Sequence, residues 1–270
     1  MKTRIKFSKM GSMRFIGHLD LMRYFQKAFR RAGIPVAYSQ GFSPHQLMSF
    51  TSPLGLGLTS EGEYLDVELQ EEVSRQDMLS KINAQMNDEI KVLDFVQLAD
   101  DAKPSMAVFA AADYVIYEKE HNIQSWDRQD FEKDFSQFLS QKEIVVSKKT
   151  KKSEKQIDIR PFIYEYGFSL EEWQKIVPEQ ISCPLPENED GGFRPLCYLR
   201  LTAGSVMNIK PELVLEAFLH SRNMVFNPYE YHIHRLEMYA DEGAPKGKVR
   251  TKSDEEPCQL VPLSVYGKRE

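Results

Sequence analysis

The chain has 270 residues, 41% apolar and 28% charged, the ordinary mixture of a soluble globular protein able to bury a core. No run approaches the roughly 18 to 20 apolar residues of a membrane helix, and the first fifteen residues scatter charges where a secretion signal has an apolar core. Cys183, Cys197 and Cys258 are odd in number and far apart, neither a disulfide framework nor a zinc pattern, so a cytoplasmic protein with free thiols is expected.

Taken in chain order, "RIKFSK" (4–9) alternates charge with Ile5 and Phe7 and predicts a half-buried strand. From His18 to Ala32 the residues Met22, Phe25, Phe29 and Ala32 recur at three- and four-residue steps, beside Leu21 and Ala28. That spacing predicts an amphipathic helix which "AGIP" stops. Gly41 and Pro44 mark a turn-rich loop, and "LMSF" reads as a short strand. "EYLDVEL" (63–69) alternates as a strand, 74–86 reads as a helix capped by Ser74, and "IKVLDFVQL" (90–98) closes the series. The order βαββαβ is the ferredoxin-like plan.

The second half repeats it with longer connections. "ADYVIYEKE" is a strand, and "DRQDFEKDFSQFLS" a helix with Phe131, Phe135, Phe138 and Leu139 inward. "EIVVSKK", "IDIRPFIYEYGF" and "LCYLRLTA" are strands, the last following a polar insert that contains "CPLPENEDGG". "KPELVLEAFLH" is a helix with Pro211 in its first turn, and "YHIHRLEMY" alternates as a last strand. The expected architecture is therefore α+β: two tandem ferredoxin-like domains, 1–104 and 105–240, and a flexible tail, 241–270, with an apolar patch "CQLVPLSVY".

The net charge of −5 hides an asymmetry. Residues 1–45 hold nine Lys and Arg against one acid (net +8), which leaves 26 bases and 39 acids (net −13) for the rest. Such polarity predicts an anionic partner for one face. Arg23, Lys27, Arg30 and Arg31 share a helix face opposite Phe25 and Phe29, suited to phosphate oxygens, or else solvated and neutralised by acids elsewhere. With Lys9 and Arg14 they make the candidate nucleic-acid or anion site.

Gly17 is placed to cap that helix, with His18 and Asp20 in its first turn. His18 reads as an anion or metal contact with Asp20 or His45, as a general acid/base, or as a plain capping residue. Tyr38, Ser39, Gln40, Ser43 and His45 offer polar groups on the following loop, and Tyr38, Ser39, Gln40, His45 and His18 join the candidate nucleic-acid or anion site. The loop's aromatics near the arginines fit stacking against unpaired bases, and taken alone read as core plugs. His18 and His45 are the weak catalytic candidates. "SPLGLGLTSEGEY" lacks the spacing of a phosphate loop, and the lysines of "SKKTKKSEK" (147–155) read as a hairpin tip that touches nucleic acid or only solvent.

The stretch "FSKMGSMRFIGHLDLMRYFQKAFRRAGIPVAYSQGFSPH", followed by "SF" and "PLGLGLTSEGEYLDVEL", resembles the radical-SAM-linked proteins, a bacterial domain of unknown function found alone or fused behind a cobalamin-binding radical SAM domain. "KKTKKSEKQIDIRPFI" resembles that family's weaker second signature. The family more often reads G-F-N-P-H-P-K where this chain has Gly41-Phe42-Ser43-Pro44-His45-Gln46-Leu47, so the loop lacks a lysine for phosphate. The resemblance implies a radical SAM enzyme as partner and genes for RNA processing as neighbours, and it transfers no catalytic roles. The chain has no Cys-x-x-x-Cys-x-x-Cys to hold an iron–sulfur cluster, and no cofactor is expected.

Three functions follow as expectations. The first is an accessory module that binds RNA by the basic helix and loop. The second is a metal-independent ribonuclease with His18 or His45 in reach of Tyr38 or Lys9. The third is a protein adaptor whose basic face meets an acidic partner.

Overall fold

The computed structural model describes residues 1–119, 126–149, 154–177, 193–243, 249–252, 254, 256 and 258–269. The elements run β1 (Lys2–Lys9), α1 (His18–Arg31), β2 (Met48–Phe50), β3 (Thr59–Glu68), α2 (Arg75–Asn83), β4 (Ile90–Leu98), α3 (Ser105–Val108), β5 (Phe109–Lys119), α4 (Arg128–Leu139), β6 (Val145–Lys149) and β7 (Glu154–Asp158). There follow β8 (Ile163–Gly167), α5 (Leu170–Gln174), β9 (Phe193–Thr202), α6 (Pro211–Ser221), β10 (Tyr231–Asp241), β11 (Leu260–Pro262) and β12 (Gly267–Lys268). The fold is mixed α+β with largely antiparallel sheet. It forms two compact units: residues 1–110, 235–242 and 259–270, and residues 111–234 and 243–258. The boundary expected near 105 therefore falls at 110, and the C-terminal residues return to the first unit.

In the first unit the strands lie in the order β12-β4-β1-β3-β10, with β2 on β3 and β11 on β10. β1 is the central strand, antiparallel to β3 (Ile5 opposite Leu65) and to β4 (Ile5 opposite Phe95). α1 buries Leu21, Phe25, Ala28 and Phe29 in a cluster with Ile5, Phe7 and Leu65, and Phe25 packs edge-on to Phe7 with ring centroids 4.8 Å apart. Truncating such a ring costs about 3–5 kcal/mol, so this stripe fixes the helix on the sheet. The helix ends where Gly33 turns left-handed (φ 65°): Gly33 N–H donates to Arg30 O at 3.2 Å and Ile34 N–H to Phe29 O at 3.0 Å. That pair of bonds is a Schellman stop. Ser74 caps α2 by accepting from Asp77 N–H at 3.1 Å, and the helix runs only to Asn83, with Met78 and Ile82 inward.

Two expectations fail in this unit. β10 does not alternate: ten of its eleven residues are buried, and polar side chains there are paired rather than solvated. The apolar part of the tail is also not loose. β11 pairs β10, β12 pairs β4, and Arg4 donates to Leu263 O at 2.9 Å as well as to Asp66 at 2.7 Å.

In the second unit the order is β10-β5-β9-β8, with β5 and β8 both antiparallel to β9, while β6 and β7 form a separate antiparallel pair. Asp127 caps α4 by accepting from Gln129 N–H at 2.9 Å. Phe131, Phe135, Phe138 and Leu139 are buried as expected, with Phe135 and Phe218 of α6 5.0 Å apart. The buried Asp113 carboxylate takes two hydrogen bonds from Arg200, at 2.7 and 2.8 Å. The insert holding Cys183, and Lys151 and Lys152 of the lysine hairpin, lie outside the described residues.

Candidate nucleic-acid interface

α1 runs from one end of β1 to the other. It starts beside Lys9, whose Nζ donates to Ile16 O at 3.2 Å. The chain beyond it reaches Leu69, paired with Val36 and bonded through its N–H to Met1 O at 2.8 Å. Fourteen residues span about 20 Å, so the cations of its outer face form a ridge of that length.

On that ridge Arg23, Lys27, Arg30 and Arg31 are all exposed. Arg23 meets Asp20 at 3.1 Å, a pair about two-thirds open to water and worth little. Arg31 donates to Gln85 O at 2.7 Å. Among the described residues the side chains of Lys27 and Arg30 have neither an ion pair nor a hydrogen bond, so no described acid neutralises them.

At the helix start a 3-10 turn (Gly11–Phe15) is pinned by Glu89, which accepts from Ser12 N–H and Oγ and from Met13 N–H at 2.9, 2.6 and 3.0 Å. Those donors hold the Glu89 carboxyl below its usual pKa. The turn presents Arg14, whose guanidinium lies 4.7 Å over the ring of Phe15, and Gly57 N–H donates to Arg14 O at 2.9 Å. Phe15, Leu19 and Leu56 are each at least 60% exposed here. No expectation named these three; an aromatic or leucine outside a periodic run carries no sign of which way it faces.

His18 is exposed and packs edge-on to Phe50, ring centroids 5.3 Å apart, and its ring makes no hydrogen bond among the described residues. Lys9 corrects an expectation. It is 1% exposed, and burial lowers its pKa against the opposing pull of Glu63. It props the base of α1 and cannot reach an external phosphate.

At the far end of the ridge the loop after α1 closes on itself. Ser39 N–H donates to His45 O at 2.8 Å, His45 N–H to Ser39 Oγ at 3.1 Å, and Ser39 Oγ lies 2.8 Å from His45 Nδ1. Tyr38 bridges to Gln46, and Gly41 turns at φ 115°. Gln40 and Ser43 are exposed on this loop. The aromatics are not core plugs: Tyr38 is 42% exposed and Phe42 fully so, because the clamp turns the loop tip outward. His45 is thus engaged as a loop clasp, and among the described residues no hydrogen bond joins His18 or His45 to Tyr38 or Lys9.

Cys197 is buried and its thiol pKa is pushed up by desolvation, the opposite of an activated nucleophile. Among the described residues no three His, Cys, Asp or Glu side chains cluster as a metal site, and no helix is long and apolar enough to cross a membrane.

A family model described as an uncharacterized protein conserved in bacteria (DUF2344) matches residues 2–211. The chain belongs to that family. For this DUF2344 member the match takes in α1, both flanking loops and everything as far as Pro211, and it leaves β10, β11 and β12 outside. No curated protein matches the chain.

Proposed function

We propose that this DUF2344 chain is a non-catalytic accessory module that binds RNA along the exposed face of α1. The observation that carries the reading is the ridge itself: Lys27 and Arg30 without counter-charge among the described residues, flanked by Arg23 and Arg31, with Arg14 at one end. Like charges at three- and four-residue steps repel by a few tenths of a kcal/mol per pair, a cost that an anionic strand laid over them relieves. The sequence resemblance to radical-SAM-linked proteins adds a radical SAM enzyme as the partner that supplies the chemistry. A ferredoxin-like reading of each unit rests on the orders β4-β1-β3-β2 and β10-β5-β9-β8, with α1 and α2, and α4 and α6, as crossovers.

The test is fluorescence anisotropy of a labelled single-stranded RNA across a salt series, wild type against Arg23→Glu/Arg30→Glu. Binding whose log K falls by about 0.7 per phosphate contact for each unit of log salt, and which collapses in the variant, is the expected result. A folded wild type that fails to bind at low salt overturns the reading and leaves the ridge as a protein-docking face.

A further inference from the structure

The Tyr38–His45 loop carries a feature the ridge does not explain. Phe42 stands at its tip with its whole side chain in water, on a backbone held by three contacts between Ser39 and His45 and by the bridge from Tyr38 to Gln46. A mobile loop could fold such a ring away; this one is clamped with the ring out. Exposing a phenylalanine forgoes burial that a partner can recover.

We propose that this loop captures an unpaired base of the RNA, stacked on Phe42. The inference rests on the RNA reading above and deepens it: the substrate is single-stranded where it meets this loop. An unpaired base has a π-face free for the ring, and a duplex keeps its bases stacked on one another.

The experiment uses the full chain with a labelled single-stranded RNA and the same sequence annealed into a duplex. Phe42 touches nothing it must hold in place, so Phe42→Ala and Phe42→Trp fold as the wild type does, checked by circular dichroism. Phe42→Ala is expected to weaken single-strand binding about 5- to 100-fold with the salt slope unchanged, and to leave duplex binding alone. The emission of Phe42→Trp is expected to be quenched by the single strand only. If wild type binds RNA but Phe42→Trp is silent and Phe42→Ala binds as well as wild type, the base-capture inference falls while the ridge stands. If Phe42→Ala weakens strand and duplex alike, the loop grips backbone and the inference also falls. If wild type binds no RNA, the parent reading has failed instead.

Discussion

Glu63 and Arg235 meet in a closed fork: Nε donates to Oε1 at 2.8 Å, and Nη2 lies 2.5 and 2.6 Å from Oε1 and Oε2. Both side chains are 4% exposed, and Lys9 is near enough to feel both charges. Glu63 is therefore the anion for two buried cations. Replacing it by Gln strands both, and we expect Glu63→Gln to cost about 3–5 kcal/mol in urea unfolding. A loss below about 1 kcal/mol would mean that water reaches the cluster.

Lys9 itself gives a pH signature. Its folded-state pKa is depressed below the ordinary 10.5, first by burial, so between that depressed value and 10.5 the unfolded chain binds more protons than the folded one. Stability contributed by this residue then rises with pH across that window. Lys9→Met keeps the stem and deletes the titration. The difference in unfolding free energy between wild type and Lys9→Met, followed from neutral pH to about pH 10.5, is expected to change in that direction; a difference flat with pH would contradict the burial of the amine.

His234 predicts the acid side. Fully buried, its pKa falls to about 3, by desolvation and then by the neighbouring His232. Between about pH 6.5 and 3 the unfolded state takes up a proton the folded state refuses, so stability falls as pH drops, by up to about 1.4 kcal/mol per pH unit. His234→Gln removes that slope, and its acid-unfolding midpoint should lie lower relative to its own stability at pH 7. Equal pH dependence in the two proteins would contradict a neutral buried imidazole.

Gly33 sits at φ 65° with open space where a Cβ would go, so only backbone conformation resists substitution. Gly33→Ala is expected to cost about 1–2 kcal/mol and Gly33→Asn less. Equal losses for the two, measured by thermal unfolding, would point to a clash rather than to the left-handed turn.

How much of this could be read in the residues depends on how each element is buried. α1 presents one face to the core, and one-sided burial writes a period into the sequence; α4 with its phenylalanines is the same case. β1 is not the half-buried strand its alternation predicts: six of its eight residues are buried, Arg4 and Lys9 among them, because strands flank it on both sides. β10 is covered on both faces, which erases the alternation that a half-buried strand shows, and its polar residues read as solvent-facing when they are ion-paired. β11 and β12 are three and two residues long, too short for any period, and they exist only because distant strands offer edges. The basic ridge was legible because exposed charge on a helix has nowhere else to go. Lys9 was misplaced because its surroundings are assembled only by the fold: the Glu63 and Arg235 charges that act on it come from positions 172 residues apart. Phe42 was misplaced because composition cannot separate a ring that plugs a core from one held out by a clasp.

The return of residues 235–242 and 259–270 to the first unit sets an order on the protein's synthesis. Domains ordinarily fold as they leave the ribosome, the first one first. Residues 1–110 are made before those segments, yet Glu63 lacks its guanidinium until Arg235 is added, Tyr64 its carboxylate until Glu237, and Arg4 its carbonyl until Leu263. The first unit is closed only after the residues of the second have been made, and a ribosome that stops before Arg235 leaves it with buried charges unanswered.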